Sequence, residues 1–300
     1  MSFHMKEYSV PTSDSGPYGI AVTRDGTVWF TQHKANKIGC ITEKDEVREF
    51  DIPTPNARVL CLAASSTGDI WFTENNANQI GKLTKSGDIL EYPLPQVDSA
   101  PYGIAEGANG EIWFTEMNGN RIGRLTSEGA IEEYELPTKA SYPAYIALGS
   151  DGAMWFTQNQ NNMIGRITAT GELTQYPLPT RGAAPVGITG GQDGALWFVE
   201  IAGNKVGRIA ASGEIEEYEI PTPNARPHAI AAGAEGELWF TEWGGNKVGR
   251  LSADRVITEY TIPIENAEPH GIVCDAEGAI WIALECNKIA RIQIHNPREM

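Results

Sequence analysis

Tryptophan recurs along this chain at a fixed interval of 42 residues. The seven tryptophans that share the interval are Trp29, Trp71, Trp113, Trp155, Trp197, Trp239 and Trp281. A strict period of this length is typical of one supersecondary unit copied many times. The copies also act as internal controls. A residue that every copy keeps serves the scaffold, whereas a residue that appears in only one copy is not required by the scaffold.

The clearest copy of the unit runs from Pro101 to Tyr134 and contains four short apolar or β-branched runs separated by turn dipeptides. The turn before its tryptophan is Asn109-Gly110, and every copy has glycine at the second position of this turn. Glycine there supplies the positive φ of a tight hairpin. No segment shows a helical period, so we predict a four-stranded antiparallel meander, which at about 40 to 45 residues is the blade of a β-propeller.

The two ends of the chain complement each other. Lys6 to Pro11 matches the fourth strand of the repeat, whereas the copy that carries Trp281 stops after three strands. We therefore predict that the N-terminal strand completes the last blade and closes the ring. An open stack of sheets would instead need caps at both ends. The sequence predicts an all-β, seven-bladed β-propeller that forms a single domain over residues 1–300.

Charge and composition restrict the classes of partner. The formal charge of −16 disfavours nucleic acids and anionic membranes, and it suits metal cations or cationic ligands. We see no signal peptide and no apolar run long enough to span a bilayer. The cysteines show no zinc spacing, so we expect reduced thiols in the cytoplasm. They are Cys40, Cys61, Cys274 and Cys286. We also expect a monomer, since a closed ring needs no partner.

One position of the repeat varies in a way that suggests function. In a propeller the first strand of each blade lies beside the central axis, so the residue after the template proline opens on one face, where function usually resides. Across the copies this residue is Tyr18, Leu60, Tyr102, Ala144, Val186, His228 and His270. A scaffold that accepts alanine, leucine and valine here has no packing requirement for histidine. We therefore take His228 and His270 as candidate site residues, with a pair of solvated rim residues as the alternative.

Two carboxylates distinguish the seventh repeat. Glu268 lies two residues before His270, and no other copy has an acidic residue there. Glu285 lies four residues after Trp281, one later than the glutamate of most copies, in a unit one residue shorter than the others. A one-residue deletion that simply carried the glutamate along is the alternative explanation. Two hard oxygen ligands favour Mg²⁺ over zinc.

Closure of the ring would place blade 1 beside blade 7. Tyr18 would then join the two histidines and the two glutamates in one sector of the face. Trp243 is the one tryptophan outside the repeat register, and it is placed to form an apolar wall for an aromatic ligand. His33 also follows a repeat tryptophan closely and could face the same opening.

Several segments resemble the streptogramin B lyases, also called virginiamycin B lyases. They are Gly16–Ile20, Asn224–His228, Ala267–Ile272 and Glu285-Cys286. The resemblance covers nearly the whole chain and implies a seven-bladed, Mg²⁺-dependent enzyme that linearises cyclic depsipeptide antibiotics. It also implies that His270 is the catalytic base, that Glu268 and Glu285 are associated with magnesium, that His228 contacts substrate and that Tyr18 lines the site.

The chemistry of that reaction suits these residue types. Removal of the threonine α-proton lets the ester carboxylate leave from the β-carbon, which needs a base that titrates near neutral pH and a Lewis acid. We find no serine or cysteine with an orienting triad. Two alternatives remain: a metal-dependent propeller hydrolase or lactonase that attacks the same ester with water, and a non-catalytic propeller that only binds its ligand.

Overall fold

The computed structural model describes residues 2–295, and these fold into seven four-stranded antiparallel sheets arranged as a β-propeller. The predicted fold class, with all-β blades of four strands, is confirmed. The described residues contain no helix that is long and apolar enough to cross a membrane. All four cysteines are free thiols, and Cys40 and Cys61 are buried.

Each blade consists of a first strand beside the axis, a second, a third and an outer strand. The first strands of blades 1 to 7 are Pro17–Val22, Val59–Ala64, Pro101–Glu106, Pro143–Leu148, Pro185–Gly190, Pro227–Ala232 and Pro269–Cys274. The second strands are Val28–Gln32, Ile70–Glu74, Ile112–Glu116, Met154–Gln158, Leu196–Glu200, Leu238–Glu242 and Ile280–Leu284. The third strands are Lys37–Ile41, Gln79–Leu83, Arg121–Leu125, Met163–Ile167, Lys205–Ile209, Lys247–Leu251 and Lys288–His295. The outer strands are Val47–Asp51, Ile89–Pro93, Ile131–Glu135, Leu173–Pro177, Ile215–Glu219, Ile257–Thr261 and, for blade 7, Ser2–Ser9.

The N-terminal strand closes the ring as predicted. Ser2–Ser9 pairs antiparallel with Lys288–His295, and the Tyr8 ring stacks on that of Trp281 at 5.4 Å between centroids. The first strand of blade 7 also packs against the first strand of blade 1. The free edge of blade 7 is thereby paired, which removes an exposed ladder of backbone groups.

An asparagine that recurs in every blade fixes each blade to the next, and Asn287 does so across the closure. Its side-chain oxygen accepts a hydrogen bond from the Ser15 N–H at 2.9 Å, and its amide nitrogen donates to the Val10 carbonyl at 3.0 Å. Asn36 makes the equivalent bond to the Ala57 N–H at 2.8 Å within the body of the ring. The closing junction therefore uses the same contact as an ordinary junction between blades.

The repeated tryptophans belong to the scaffold. The Trp113 ring is buried, and the Arg124 guanidinium lies over it at 5.2 Å. The phenylalanine after each of the first six tryptophans is fully buried between blades, as Phe114 is. A Cβ at Gly123 would lie 2.1 Å from the Phe114 ring, so the third strand needs glycine there. These contacts explain why the period is so strict.

A second contact between blades fixes the backbone around the axis. The Thr115 hydroxyl accepts from the Gly103 N–H at 2.9 Å and donates to the Ala144 carbonyl of the next blade at 2.6 Å. Thr241 repeats the arrangement by donating to the His270 carbonyl at 2.8 Å. Blade 6 therefore positions the backbone of the histidine in blade 7.

In blades 1 to 6 the last residue of the second strand is a buried polar group. It is glutamate in four blades, at Glu74, Glu116, Glu200 and Glu242, and glutamine in two, at Gln32 and Gln158; all six are fully buried. Burial raises the pKa of Glu116 to about 7 and that of Glu200 to about 8. At pH values between the ordinary pKa of glutamate and these raised values, the folded protein keeps these carboxyls protonated, whereas the unfolded chain has released the protons.

We expect the stability of the protein to fall as pH rises from about 4.5 to about 8, since unfolding releases protons over this interval. The double variant Glu116→Gln with Glu200→Gln should lose part of this dependence, because glutamine is native at the same position in blades 1 and 4. Its Tm at pH 8 should exceed that of the parent by about 5 °C or more, with little difference at pH 5. Thermal denaturation at both pH values measures this, and a variant that melts lower at pH 8 would show that these groups are ionised in the fold.

Candidate functional site

The residue after each template proline lies at a break in strand pairing next to the axis. In blade 7 the register shifts between Pro269 and Ile272, so His270 and Gly271 form a bulge. Bulges of this kind redirect side chains and are common beside active sites. The same shift occurs in the first strand of every blade.

The structure brings Tyr18, His228 and His270 together at the axis. The ring centroid of Tyr18 lies 4.5 Å from that of His270 and 5.5 Å from that of His228, and the two imidazoles are 4.8 Å apart. Both histidines are buried, with 7% and 8% of their surface exposed. Small side chains at Ala144 and Val186 occupy the same ring position in blades 4 and 5.

A short hydrogen-bonded chain crosses the axis. The Tyr18 hydroxyl lies 3.0 Å from Nε2 of His228 and 2.7 Å from the Tyr102 hydroxyl. Burial, and the neighbouring His270, lower the pKa of His228 to about 3, and burial raises the pKa of Tyr18 above its ordinary value. This part of the site is therefore a neutral imidazole hydrogen-bonded to a neutral phenol. Such a pair can direct polar groups of a ligand without carrying charge.

Glu285 is the first residue after the second strand of blade 7. The second strand of blade 7 pairs in register up to Leu284, which stands opposite Pro269 and takes the place of the buried glutamate of other blades. The missing residue lies beyond Glu285, because the loop to the third strand spans 285–287 in blade 7 but 117–120 in blade 3. Because the deletion lies after Glu285, it did not shift this glutamate to its position. In blades 1 and 6 this position holds His33 and Trp243.

The Glu285 carboxylate is the centre of the charged part of the site. Its Oε2 lies 2.9 Å from Nε2 of His270, and its Oε1 lies 2.8 Å from Nε2 of His33 and 3.2 Å from Nζ of Lys34. The hydrogen bonds from His270 and His33 hold the pKa of Glu285 far below its ordinary value. Glu285 is therefore an anion that only accepts hydrogen bonds, and Nε2 of His270 donates to it here.

Glu268 lies at the open edge of the site. Its backbone carbonyl accepts the Glu285 N–H at 3.2 Å, and its side chain is exposed. Among the described residues its carboxylate makes no hydrogen bond or ion pair. It lines a cavity of about 620 Å³ together with Arg226 and Trp243. The Trp243 ring stacks on that of His270 at 6.1 Å, and the Arg226 guanidinium lies over the indole at 5.3 Å.

Two carboxylates at the site are oxygen donors of the kind that Mg²⁺ prefers. Glu268 and Glu285 are carboxylates joined by a backbone hydrogen bond, and Mg²⁺ is usually held by one or two carboxylates with water and substrate completing its shell. In the part of the chain that the structure describes, no cluster of three or more histidine, cysteine, aspartate or glutamate side chains could hold a metal.

Sequence reasoning missed some residues of the site. Lys34 and Tyr102 are not among the predicted site residues, and His33 is predicted only to face the opening. In the structure Lys34 and His33 contact Glu285, and the Tyr102 hydroxyl is hydrogen-bonded to that of Tyr18. The fourth residue after each repeat tryptophan varies as much as the residue after the proline. Across the copies it is His33, Asn75, Met117, Asn159, Ile201, Trp243 and Glu285. Comparing the copies at this second position would have identified His33.

The fold and site together define a propeller with a polar sector in which a histidine is hydrogen-bonded to a carboxylate next to an open, partly aromatic cavity. The sequence profile of the virginiamycin B lyase family matches residues 3–292. The chain belongs to this family.

Solved structures agree with this assignment. A streptogramin B lyase structure is 62% identical, with a TM-score of 0.96 and 98% of each chain covered. The catalytically inactive H270A virginiamycin B lyase from Staphylococcus aureus, solved with quinupristin, is 59% identical over 98% of this chain and 100% of that one, also with a TM-score of 0.96. A curated virginiamycin B lyase of Bacillus licheniformis is 52% identical over 47 residues, so that match spans only 16% of the length of each protein.

Proposed function

We propose that this chain, a lyase by family membership, inactivates type B streptogramins by elimination across the threonine ester, with His270 as the general base. The observation that carries the proposal is the pairing of a buried imidazole with an anionic carboxylate, 2.9 Å apart, beside an open cavity. The inactive H270A form of the Staphylococcus aureus enzyme, whose altered residue has the number of His270 here, supports the same role.

The proposed reaction breaks two bonds and forms one double bond. His270 takes the α-proton of the ester threonine, the electron pair forms the Cα–Cβ double bond, and the Cβ–O bond breaks to release the carboxylate. The product is a linear peptide with a dehydrobutyrine residue and a free acid. The mass of this free acid equals that of the substrate, because His270 passes the α-proton to solvent and the released carboxylate takes up one proton from solvent.

Nε2 of His270 is the nitrogen that we assign as the proton acceptor. Nδ1 is buried and has no hydrogen-bond partner, so it cannot reach a substrate. Nε2 donates to Glu285 in this structure, so it can accept a proton only in the tautomer that carries its hydrogen on Nδ1. A cation held at Glu285 would favour that tautomer, because it would neutralise the charge that attracts the Nε2 proton. Once formed, the imidazolium is stabilised by the Glu285 carboxylate, as in other histidine–carboxylate pairs.

Glu268 and Glu285 are the residues that would hold Mg²⁺. When bound, the ion supplies positive charge that polarises a substrate carbonyl and stabilises the negative charge developing in the elimination. The chain carries a formal charge of −16, which favours uptake of a divalent cation.

We assign substrate binding to His228 and Tyr18. Their neutral imidazole and phenol can hydrogen-bond the amide groups of a cyclic peptide without repelling the leaving carboxylate. The cavity beside Trp243 offers an aromatic wall to an aromatic substituent. We also propose that the protein acts as a monomer in the cytoplasm, without nucleic acid or membrane partners, in line with its free thiols and net charge.

The mass of the product tests this function against its alternatives. We expect quinupristin or virginiamycin S to be converted, in the presence of Mg²⁺, to a linear product of unchanged mass, and conversion to stop in excess EDTA. A product heavier by one water would instead identify a hydrolase. Antibiotic that is bound but recovered intact with Mg²⁺ would identify a ligand-binding propeller, and full conversion in EDTA would remove the metal from the mechanism.

A further inference from the structure

Blade 1 differs from the other six at the residue before the template proline. It has Gly16, whereas the equivalent residues are Arg58, Ala100, Tyr142, Ala184, Arg226 and Glu268. All of these have positive φ, 61° at Gly16 and 48° to 54° at the other six. Six blades therefore hold a side chain in this backbone conformation, so the conformation alone does not explain why blade 1 has glycine at this position.

The space above Gly16 is filled by two side chains of its own blade. A Cβ built on Gly16 would lie 2.8 Å from Nε2 of His33 and 3.0 Å from Cδ of Lys34, and the first distance is shorter than real Cβ contacts allow. The backbone holds the same residues in place, since the His33 N–H donates to the Gly16 carbonyl at 3.2 Å and the Lys34 N–H donates to the Ser15 carbonyl at 3.0 Å. Any larger residue at position 16 would displace His33.

His33 and Lys34 reach across the closure of the ring to Glu285. Their donors lie 2.8 Å and 3.2 Å from Oε1, which leaves Oε2 to His270. The scaffold does not need these residue types, because Asn75 and Asn159 take the place of His33 in blades 2 and 4. Those asparagines donate to the proline carbonyl of the following blade, Asn75 to Pro101 at 3.1 Å and Asn159 to Pro185 at 3.3 Å.

We infer that Gly16, His33 and Lys34 form a positioning device for the Glu285 carboxylate. Glu285 lies on a three-residue loop, and its side chain could rotate away from His270 if Oε1 had no partners. Two donors on Oε1 hold the carboxylate plane so that Oε2 meets Nε2 of His270. Gly16 provides the room for His33 to reach it. This inference rests on the proposed role of His270 as base, but the geometry can be tested without turnover.

The substitution Gly16→Ala tests the inference most cleanly. We expect kcat to fall by about 10- to 100-fold, the usual cost of losing an outer partner of a catalytic or metal-binding group, with KM for quinupristin nearly unchanged. Tm should change little, because Ala100 and Ala184 are native in the same conformation. The matched control is Ala184→Gly, the reverse exchange in blade 5, which should leave kcat unaltered.

A double-mutant cycle with His33→Asn separates the clash between the new Cβ and His33 from other effects of Gly16→Ala. His33→Asn should lower kcat by a similar factor, and His33→Gln, which keeps a donor of greater reach, should restore part of it. Adding Gly16→Ala to His33→Asn should cost little more, because the shorter side chain no longer meets the new Cβ. Additive losses, or a rise in KM at constant kcat, would overturn the inference, since either result means that these residues act elsewhere or contact substrate directly.

A measurement without substrate distinguishes failure of this inference from failure of the proposed function. In ¹H–¹⁵N spectra of the metal-free protein, the Nε2–H signal of His270, assigned by its loss in His270→Ala, should shift or broaden in Gly16→Ala and His33→Asn but not in Ala184→Gly. An unchanged signal in both test variants overturns the inference whatever the activity. If the parent fails to linearise the antibiotic but the signal responds as expected, the positioning device stands and the proposed function fails.

Discussion

Replacement of His270 by alanine is expected to lower the turnover of type B streptogramins by about 10²- to 10⁴-fold, the contribution of a general base. The imidazole is buried, has a carboxylate partner and stacks on the ring of Trp243, which lines the open cavity. Loss of antibiotic followed by liquid chromatography, at saturating and at low concentration, measures kcat and kcat/KM. Both should fall together, since the interaction is used in the transition state.

The fold should survive this change, because Ala144 is native at the equivalent position of blade 4. The matched control is Val186→Ala at the same ring position of blade 5, away from the charged sector, and we expect it to keep most of its activity. A His270→Ala protein that fails to fold would show that the imidazole is structural. A variant that folds and retains parental turnover would exclude His270 as the base.

Removal of residues 1–10 is expected to cost most of the stability of the ring. The deletion takes away the outer strand of blade 7 and the buried side chains of Tyr8 and Val10, worth about 3 to 6 kcal/mol by burial alone. Against a net stability of about 5–15 kcal/mol, this should lower Tm by at least about 10 °C or prevent recovery of soluble protein. Circular dichroism melting of the purified deletion variant measures the loss.

A circular permutant is the control for this deletion. Residues 11–300 followed by residues 1–10 keep every residue, and they place the outer strand of blade 7 directly after its third strand, as in the other blades. Because Ser2 pairs with His295 at the near end of that hairpin, the connection spans a short distance. The permutant should melt close to the parent. A deletion variant as stable as the parent would contradict the closure, and a permutant that fails to fold would show that covalent order matters beyond the pairing.

Much of the fold could be predicted from the sequence because each structural requirement recurs in the seven copies of the repeat. Five of the seven repeat tryptophans, Trp113 among them, are buried, and the turn glycines adopt positive φ. The closure followed from counting strands at the two ends. These are local requirements that recur, so comparison of the copies recovers them without knowledge of long-range contacts.

The polar sector was only partly predictable for the opposite reason. His228, His270 and Tyr18 stand out because their ring position otherwise accepts Ala144 and Val186. The partners of Glu285 did not stand out, since His33 and Lys34 meet it only after the ring closes over a separation of about 250 residues. Contacts formed once, between chain ends, leave no periodic signal. Tyr102 was missed similarly, because its hydrogen bond crosses the axis.

The departure of the α-proton is the central claim, and isotope labelling measures it directly. A type B streptogramin carrying deuterium at the threonine α-carbon should yield a linear product that has lost that deuterium to solvent and gained no water, with a reduced rate relative to unlabelled antibiotic if proton removal limits turnover. The mass spectrum of the product reads both features at once. A linear product that keeps the deuterium and is heavier by one water would contradict the elimination and assign the site to ester hydrolysis.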